Sequence, residues 1–294
     1  MRILVTGKHG QVARALQEQA PPGVAVVTLG RPELDLADPA SIHAAFDGAV
    51  ADVVVNAAAF TAVDKAEAEE ALAARVNGDG AGRVAEFARG LGAPILQLST
   101  DYVFDGGLGR PYVEDDPVAP IGAYGRSKLA GEAAVAEANP RATILRTAWV
   151  YSPFGANFVK TMLRLGETRS ELRVVADQIG SPTSALDIAD AIFEIARQLI
   201  DAPTARKYGV FHMTGAGEAT WAQFAEAIFT EAHQLGRPPV RVIPIPSAEY
   251  PTPARRPANS RLDGARLARD YGVALPHWRD SLKPVVARLL EAEM

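Results

Sequence analysis

Short apolar runs alternate with helically spaced stretches through the first half of the chain. Residues 2–6, 24–28, 52–55, 94–99 and 142–147 are rich in Val, Ile and Leu, the composition of strands covered on both faces. Residues 10–20, 40–50, 66–91 and 123–138 between them carry helical spacing. This alternation predicts an α/β fold with a doubly wound parallel sheet. The second half reads differently, with frequent Pro and Gly. Strands at 172–175, 210–213 and 240–245 interleave there with helices near 156–166, 185–199, 220–235 and 278–292. The expected division is a first domain at 1–148 and a smaller α/β domain at 149–294. Residues 185–213 are a candidate to return to the first sheet.

Composition narrows the setting. A chain of 294 residues that is 48% hydrophobic can bury a sizeable core. A net charge of −5 argues against nucleic acid as the main partner. The chain has no cysteine, so disulfides, thiolate nucleophiles and Cys-ligated metals are excluded. The first residues run directly into a strand without a signal-peptide pattern. No apolar run reaches the roughly 18 residues needed to cross a bilayer. A cytoplasmic protein without membrane partners is the expectation.

The sharpest local signal is Thr6-Gly7-Lys8-His9-Gly10-Gln11-Val12-Ala13, directly after the first strand. Gly7 suits the tight turn, Gly10 a close approach of backbone to a pyrophosphate, and Ala13 close helix–sheet packing. The helix that follows offers free N–H groups to phosphate. The pattern therefore predicts a Rossmann-type, dinucleotide-binding first domain, leaving the second to bind substrate. Cofactor choice should be set where the second strand ends. That place carries Gly30 and Arg31 rather than an acid, and a cation suits the 2′-phosphate of NADPH, with NADH as the alternative. Asp35 and Leu36 are candidates for the adenine pocket. Ala57, Ala58 and Ala59 follow the third strand, where small residues let a flat cofactor lie on the backbone.

Tyr124 and Lys128 are four residues apart in a predicted helix, so they share one face. Of the seven tyrosines only Tyr124 has Lys at this spacing. Reducing a ketone requires a proton for the oxygen as hydride reaches carbon, and a nearby ammonium would lower a phenol's pKa toward neutrality. Thr100 closes the strand at 94–99, the end where open parallel sheets place ligands, and is the candidate to polarise a carbonyl. Ser99 is the weaker choice for that role, and Asp101 could orient the substrate or the neighbouring loop.

Taken together these residues resemble the extended short-chain dehydrogenase/reductases, and more closely the dTDP-4-dehydrorhamnose reductases. The resemblance rests on Gly10-Gln11-Val12, Asn56-Ala57-Ala58-Ala59, Thr61-Ala62-Val63-Asp64-Lys65, Ser99-Thr100-Asp101-Tyr102-Val103-Phe104 and Arg146-Thr147-Ala148-Trp149. It continues through Asn157-Phe158-Val159-Lys160, Gly180-Ser181-Pro182-Thr183, Tyr250-Pro251-Thr252-Pro253 and Arg256-Pro257. It implies NAD(P)H-dependent reduction of dTDP-4-dehydro-β-L-rhamnose to dTDP-β-L-rhamnose, the last step in making an activated sugar for bacterial surface polysaccharide. It assigns cofactor contacts to Gly10, Gln11, Val12, Ala59, Phe60, Thr61, Tyr124 and Lys128. It assigns the sugar nucleotide to Thr100, Asp101, Tyr102 and Trp149, with Arg256 and Arg261 as candidates for its diphosphate. Some relatives dimerise through Mg²⁺ held by glutamates, one of them early in the first helix. The aligned residue here is Ala15, so the resemblance implies at most a homodimer without that metal bridge, and the reaction needs no metal.

Two other readings compete. One is a nucleotide-sugar epimerase or dehydratase of the same superfamily, although Asp101 is followed by Tyr102 rather than the Glu a dehydratase needs. The other is a non-catalytic regulatory subunit of the methionine adenosyltransferase type, against which the Thr100, Tyr124 and Lys128 set argues. The five histidines are scattered, which disfavours a metal or Ser-His-Asp hydrolase.

Overall fold

The computed structural model describes residues 1–202 and 207–292; positions 203–206 and 293–294 of the predicted segments lie outside the described residues. The first half runs β1 (Arg2–Thr6), α1 (Gln11–Glu18), β2 (Ala25–Leu29), α2 (Pro39–Phe46), β3 (Val53–Asn56), α3 (Val63–Ala68), α4 (Glu70–Ala74), α5 (Gly80–Gly90), β4 (Ile95–Thr100), α6 (Ala123–Ala138) and β5 (Ala142–Thr147). The second half continues with β6 (Val150–Tyr151), α7 (Phe158–Gly166), β7 (Glu171–Val175), β8 (Ile179–Gly180), β9 (Thr183–Ser184), α8 (Ala185–Asp201) and β10 (Gly209–His212). It closes with β11 (Ala219–Thr220), α9 (Trp221–Gln234), β12 (Arg241–Ile245), β13 (Asn259–Ser260), α10 (Ala265–Tyr271) and α11 (Trp278–Glu291).

Six strands form one parallel sheet in the order β2-β1-β3-β4-β5-β10. β3 and β4 are buried on both sides because helices cover both faces. On one face Leu16 of α1 and Ile188, Ile192 and Ile195 of α8 pack with Val5, Val55 and Leu145. On the other, Ile42 and Phe46 of α2 and Val84 of α5 pack with Leu4, Val54 and Ile95. Strand order reverses at β1, so a crevice opens between the carboxyl ends of β1 and β3. β10 pairs in register with β5, from Gly209 opposite Thr143 to His212 opposite Arg146, so the first layer does not end at residue 148. The chain leaves the sheet after β5, returns through α8 and β10, and leaves again. The two excursions share a second core around Tyr151, Phe224, Trp278 and Val285, beside the parallel pair β7–β12.

The single helix predicted over 66–91 is broken. Between α4 and α5 residues Arg75–Asp79 form a π-helical turn. Crowding against α6 accompanies this wider turn: a Cβ on Gly131 would lie 2.0 Å from the Asn77 carbonyl oxygen. A Cβ on Gly125 would lie 2.2 Å from the Tyr102 carbonyl oxygen. Two glycines therefore let α6 press against both backbones that flank the site. Among the described residues no helix is long and apolar enough to cross a membrane.

Gly131→Ala should destabilise the fold by about 1–3 kcal/mol through overpacking. Gly78→Ala, whose Cβ would make an ordinary 3.7 Å contact with Ala130, should not. Urea unfolding midpoints compare the two directly.

Candidate active site

The crevice begins at Gly7, whose φ of +89° suits glycine. A Cβ there would lie 2.9 Å from Ala58 N and 3.0 Å from the Ala57 carbonyl carbon. The loop after β1 and the small-residue loop after β3 thus meet backbone to backbone. Gly10 precedes α1 in extended conformation, offers no side-chain cap, and no acid occupies the first turn. The first N–H groups of α1 are left for an anion, and a dinucleotide phosphate fits the cradle. Val12 and Ala13 are buried beneath it. The Gln11 side chain turns toward the second unit instead. It accepts hydrogen bonds from Ser152 Oγ at 2.7 Å and Asn157 Nδ2 at 3.0 Å. Asn157 caps α7 by accepting from Lys160 N, so the cradle is tied to the helix beside the second-domain cleft.

At the end of β2, Gly30 lies so close to Lys8 that a Cβ would be 2.8 Å from the Lys8 Cβ. Arg31 is exposed, and Lys8 sits nearby with Glu33 at 3.8 Å. Asp35 and Leu36 serve the fold. The Asp35 carboxylate accepts from Ala37 N at 2.9 Å within its own turn, and Leu36 is buried in the core.

After β3, Ala57, Ala58, Ala59 and Phe60 are partly buried and Thr61 is exposed. Asn77 of the π-helical turn holds this loop: its Oδ1 accepts from Phe60 N at 2.7 Å and its Nδ2 donates to Phe60 O at 3.1 Å. The same Nδ2 donates to Ser127 Oγ at 2.9 Å, one residue before Lys128. Periodicity gave no sign of Asn77, since it sits where the helix loses its regular spacing.

Thr100, at the end of β4, donates from Oγ1 to Asp101 Oδ1 at 2.9 Å. The second oxygen of Asp101 is buried without a hydrogen-bond partner. Burial pushes the Asp101 carboxyl up to about 6, against the lowering effect of Ser260, Thr100 and local backbone groups. The Tyr124 phenol lies beside the Thr100 hydroxyl. Burial and then the Asp101 carboxylate push it well above the usual range, with Thr100 opposing. Tyr102 meets the Tyr124 ring edge-on at 5.6 Å. Lys128 is 4% exposed and donates from Nζ to Leu98 O at 2.7 Å. Burial pulls its ammonium down to about 8, while the Glu132 carboxylate one turn on works the other way. The ammonium is engaged at Leu98, and burial beside Asp101 dominates the phenol.

A buried layer that sequence reasoning missed supports α6 from below. Arg146 of β5 clamps Glu132 at 2.9 and 2.7 Å, both side chains being almost wholly buried. Ser99 donates to the same carboxylate, so this hydroxyl points away from Thr100. His212 lies opposite Arg146 in the sheet, and burial and the Arg146 charge pull its imidazole down to about 3. The usable signal was a charged residue inside a strand read as covered on both faces, where a charge requires a buried partner.

Trp149 follows β5 with φ of +47°, unusual for a non-glycine residue. It stacks on Trp221 at 3.5 Å with the rings 8° apart, and Gly180 packs against the indole. One face of the Trp149 ring is therefore covered by Trp221. Arg256 donates to Asp64 Oδ2 at 2.8 Å and lines a cleft of about 1030 Å³ together with Trp221, Phe158 and Tyr250. Arg261 is held elsewhere, by Asn259 and Gly109 O at 2.9 Å each and by Glu218 at 2.9 Å. It does not line that cleft. Ala15 is fully buried in α1.

The family described as the RmlD substrate binding domain matches residues 1–291. A dTDP-4-dehydrorhamnose reductase of Sinorhizobium fredii is 53% identical over 290 residues, covering 99% of this chain and 98% of the relative. The Escherichia coli enzyme of that name is 38% identical, with 98% of each chain covered. A solved dTDP-4-dehydrorhamnose reductase from Clostridium acetobutylicum superposes with a TM-score of 0.90 at 41% identity, covering 99% of this chain and 100% of the other. One from Bacillus anthracis, solved in complex with NADP, gives a TM-score of 0.90 at 35% identity, covering 98% of this chain and 99% of that one. Relatives sharing both the cradle-bearing sheet and the second unit from end to end show that this chain belongs to the dTDP-4-dehydrorhamnose reductase family.

Proposed function

We propose that this chain uses NADPH to reduce dTDP-4-dehydro-β-L-rhamnose to dTDP-β-L-rhamnose. The observation that carries the reading is the grouping of Thr100, Tyr124 and buried Lys128 at the end of β4, in the parallel sheet whose β1 leads into the Gly7–Gly10 cradle. The full-length relationship to reductases of that name supports the substrate. The cofactor, when bound, supplies the hydride that reaches carbon 4 of the ketosugar.

The protein's own residues handle the proton. Tyr124 keeps its phenol protonated far above neutral pH, the state a donor needs in the direction of reduction. It gives that proton to the sugar oxygen. Thr100 turns its hydroxyl from Asp101 to the carbonyl and polarises it. Lys128 sits one helical turn away and stabilises the phenolate left on Tyr124. The first N–H groups of α1 hold the pyrophosphate, and Arg31 with Lys8 favours a 2′-phosphate at the end of β2. Arg256, with Tyr102 against it, borders the sugar-nucleotide side, and Trp149 contributes by fixing the cleft wall through its stack on Trp221.

Burying Asp101 has a thermodynamic cost with a definite sign. Its folded pKa lies above the ordinary carboxylate value, so the native state holds the proton more tightly than the unfolded chain. Stability is therefore favoured at low pH and declines as the pH rises from about 4 through about 6.

Purified protein should consume NADPH when given dTDP-4-dehydrorhamnose. Tyr124→Phe should lose about 10²–10⁴-fold in kcat while its NADPH affinity, read by fluorescence titration, stays near wild type. A wild type that leaves NADPH untouched, matched by Tyr124→Phe, would sink the reading. Arg31→Ala should raise KM for NADPH about tenfold and leave KM for NADH unchanged, for loss of one charge-assisted phosphate contact. Asp101→Asn should raise unfolding free energy at pH 8 by on the order of 2 kcal/mol and give no gain at pH 4. Urea denaturation at both pH values measures this.

A further inference from the structure

Carbonyls along one edge of a parallel strand alternate between its two neighbours. Val54 N donates to Pro94 O at 3.0 Å, so the β4 carbonyls that face β3 belong to residues 94, 96 and 98. With Asn56 opposite Gln97, the N–H next in line for Leu98 O is that of Ala58. That N–H goes elsewhere, to Thr6 Oγ1 at 3.1 Å. The Thr6 hydroxyl donates to Asn56 Oδ1. Asn56 Nδ2 donates to Gln97 Oε1 at 2.7 Å, and Gln97 Nε2 donates to Leu98 O at 2.8 Å. Lys128 Nζ makes the second hydrogen bond to that carbonyl, at 2.7 Å. Thr6, Asn56 and Gln97 are each no more than 1% exposed.

We propose that Thr6, Asn56 and Gln97 are positioning residues: they withhold the Ala58 N–H from the sheet and so reserve the Leu98 carbonyl for Lys128. The inference rests on the reading of Lys128 as part of the proton-handling pair. The donor sequence has one direction. Thr6 spends its only hydroxyl proton on Asn56, which leaves its oxygen to accept from Ala58. Removing that oxygen leaves the partly buried Ala58 N–H unpaired, with the next ladder position, on Leu98 O, as its alternative by register. The Leu98 carbonyl, already bonded by Gln97 and Lys128, would then face a third donor, the Ala58 N–H, in competition with Lys128. A buried ammonium held by fewer acceptors loses its proton more easily.

The test follows the Lys128 side chain by NMR in ligand-free protein carrying ¹³C-labelled lysine, its signal identified by its absence in Lys128→Arg. Thr6→Val should move the Lys128 titration downward by at least about half a pH unit, and Thr6→Ser should restore it. Gln97→Glu keeps an acceptor for Asn56 but places a carboxylate at the Leu98 end, so it should move the titration upward. This variant decides the matter if Thr6→Val does not fold. A Lys128 titration identical in wild type, Thr6→Val and Gln97→Glu overturns the proposal, whatever their stability. If the titration shifts as stated but the wild type does not reduce the ketosugar, the positioning network stands and the functional reading falls.

Discussion

A parallel sheet that ends inside the protein leaves strand-end carbonyls and N–H groups without ladder partners, and burial makes each of them costly. The site is built from the ways those groups are satisfied. At the end of β1, Gly7 N and Lys8 N bond Leu29 O of the neighbouring strand, at 2.8 and 3.0 Å, which fixes the turn that leads into α1. At the end of β3, Ala58 N is taken by Thr6. At the end of β4, Leu98 O is taken by Gln97 and Lys128. The cradle, the small-residue loop and the buried lysine are three consequences of one boundary condition.

The second feature is how much charge is held out of water around α6. Lys128, Asp101, Glu132 and Arg146 are each no more than 5% exposed. Only Glu132 and Arg146 form a direct ion pair, and such a pair contributes little net stability, although losing one partner is severe. Lys128 and Asp101 are each left partly uncompensated, and both are shifted toward neutral pH as a result. A fold selected for stability alone would have no use for either shift. Groups poised near neutrality are what proton transfer requires.

Close backbone packing makes the arrangement rigid. Gly125 and Gly131 bring α6 against the Tyr102 and Asn77 carbonyls, and Asn77 in turn holds the loop that carries Phe60. The link continues to the second unit through Gln11, Ser152 and Asn157. The Gln11 side chain is thus one brace between the Gly7–Gly10 cradle and the second unit.

The alternation of Val-rich runs with helical spacing was enough to place β1 to β5, since strands covered on both faces have no polar side to disguise them. Gly7, Gly10 and the Tyr124–Lys128 spacing were legible because a turn and a helix face are local geometry. Trp149 did not reveal that Trp221, far along the chain, covers its ring. The Thr6–Asn56–Gln97 chain, the Glu132–Arg146 clamp and the π-helical turn at Asn77 left no periodic trace. Each depends on polar atoms from separate strands and helices meeting out of water. Sequence determined which elements form and which residues could do chemistry. Tertiary structure decided which of those residues face each other and what protonation state burial gives them, because desolvation and hydrogen bonding belong to the packed chain and not to any segment of it.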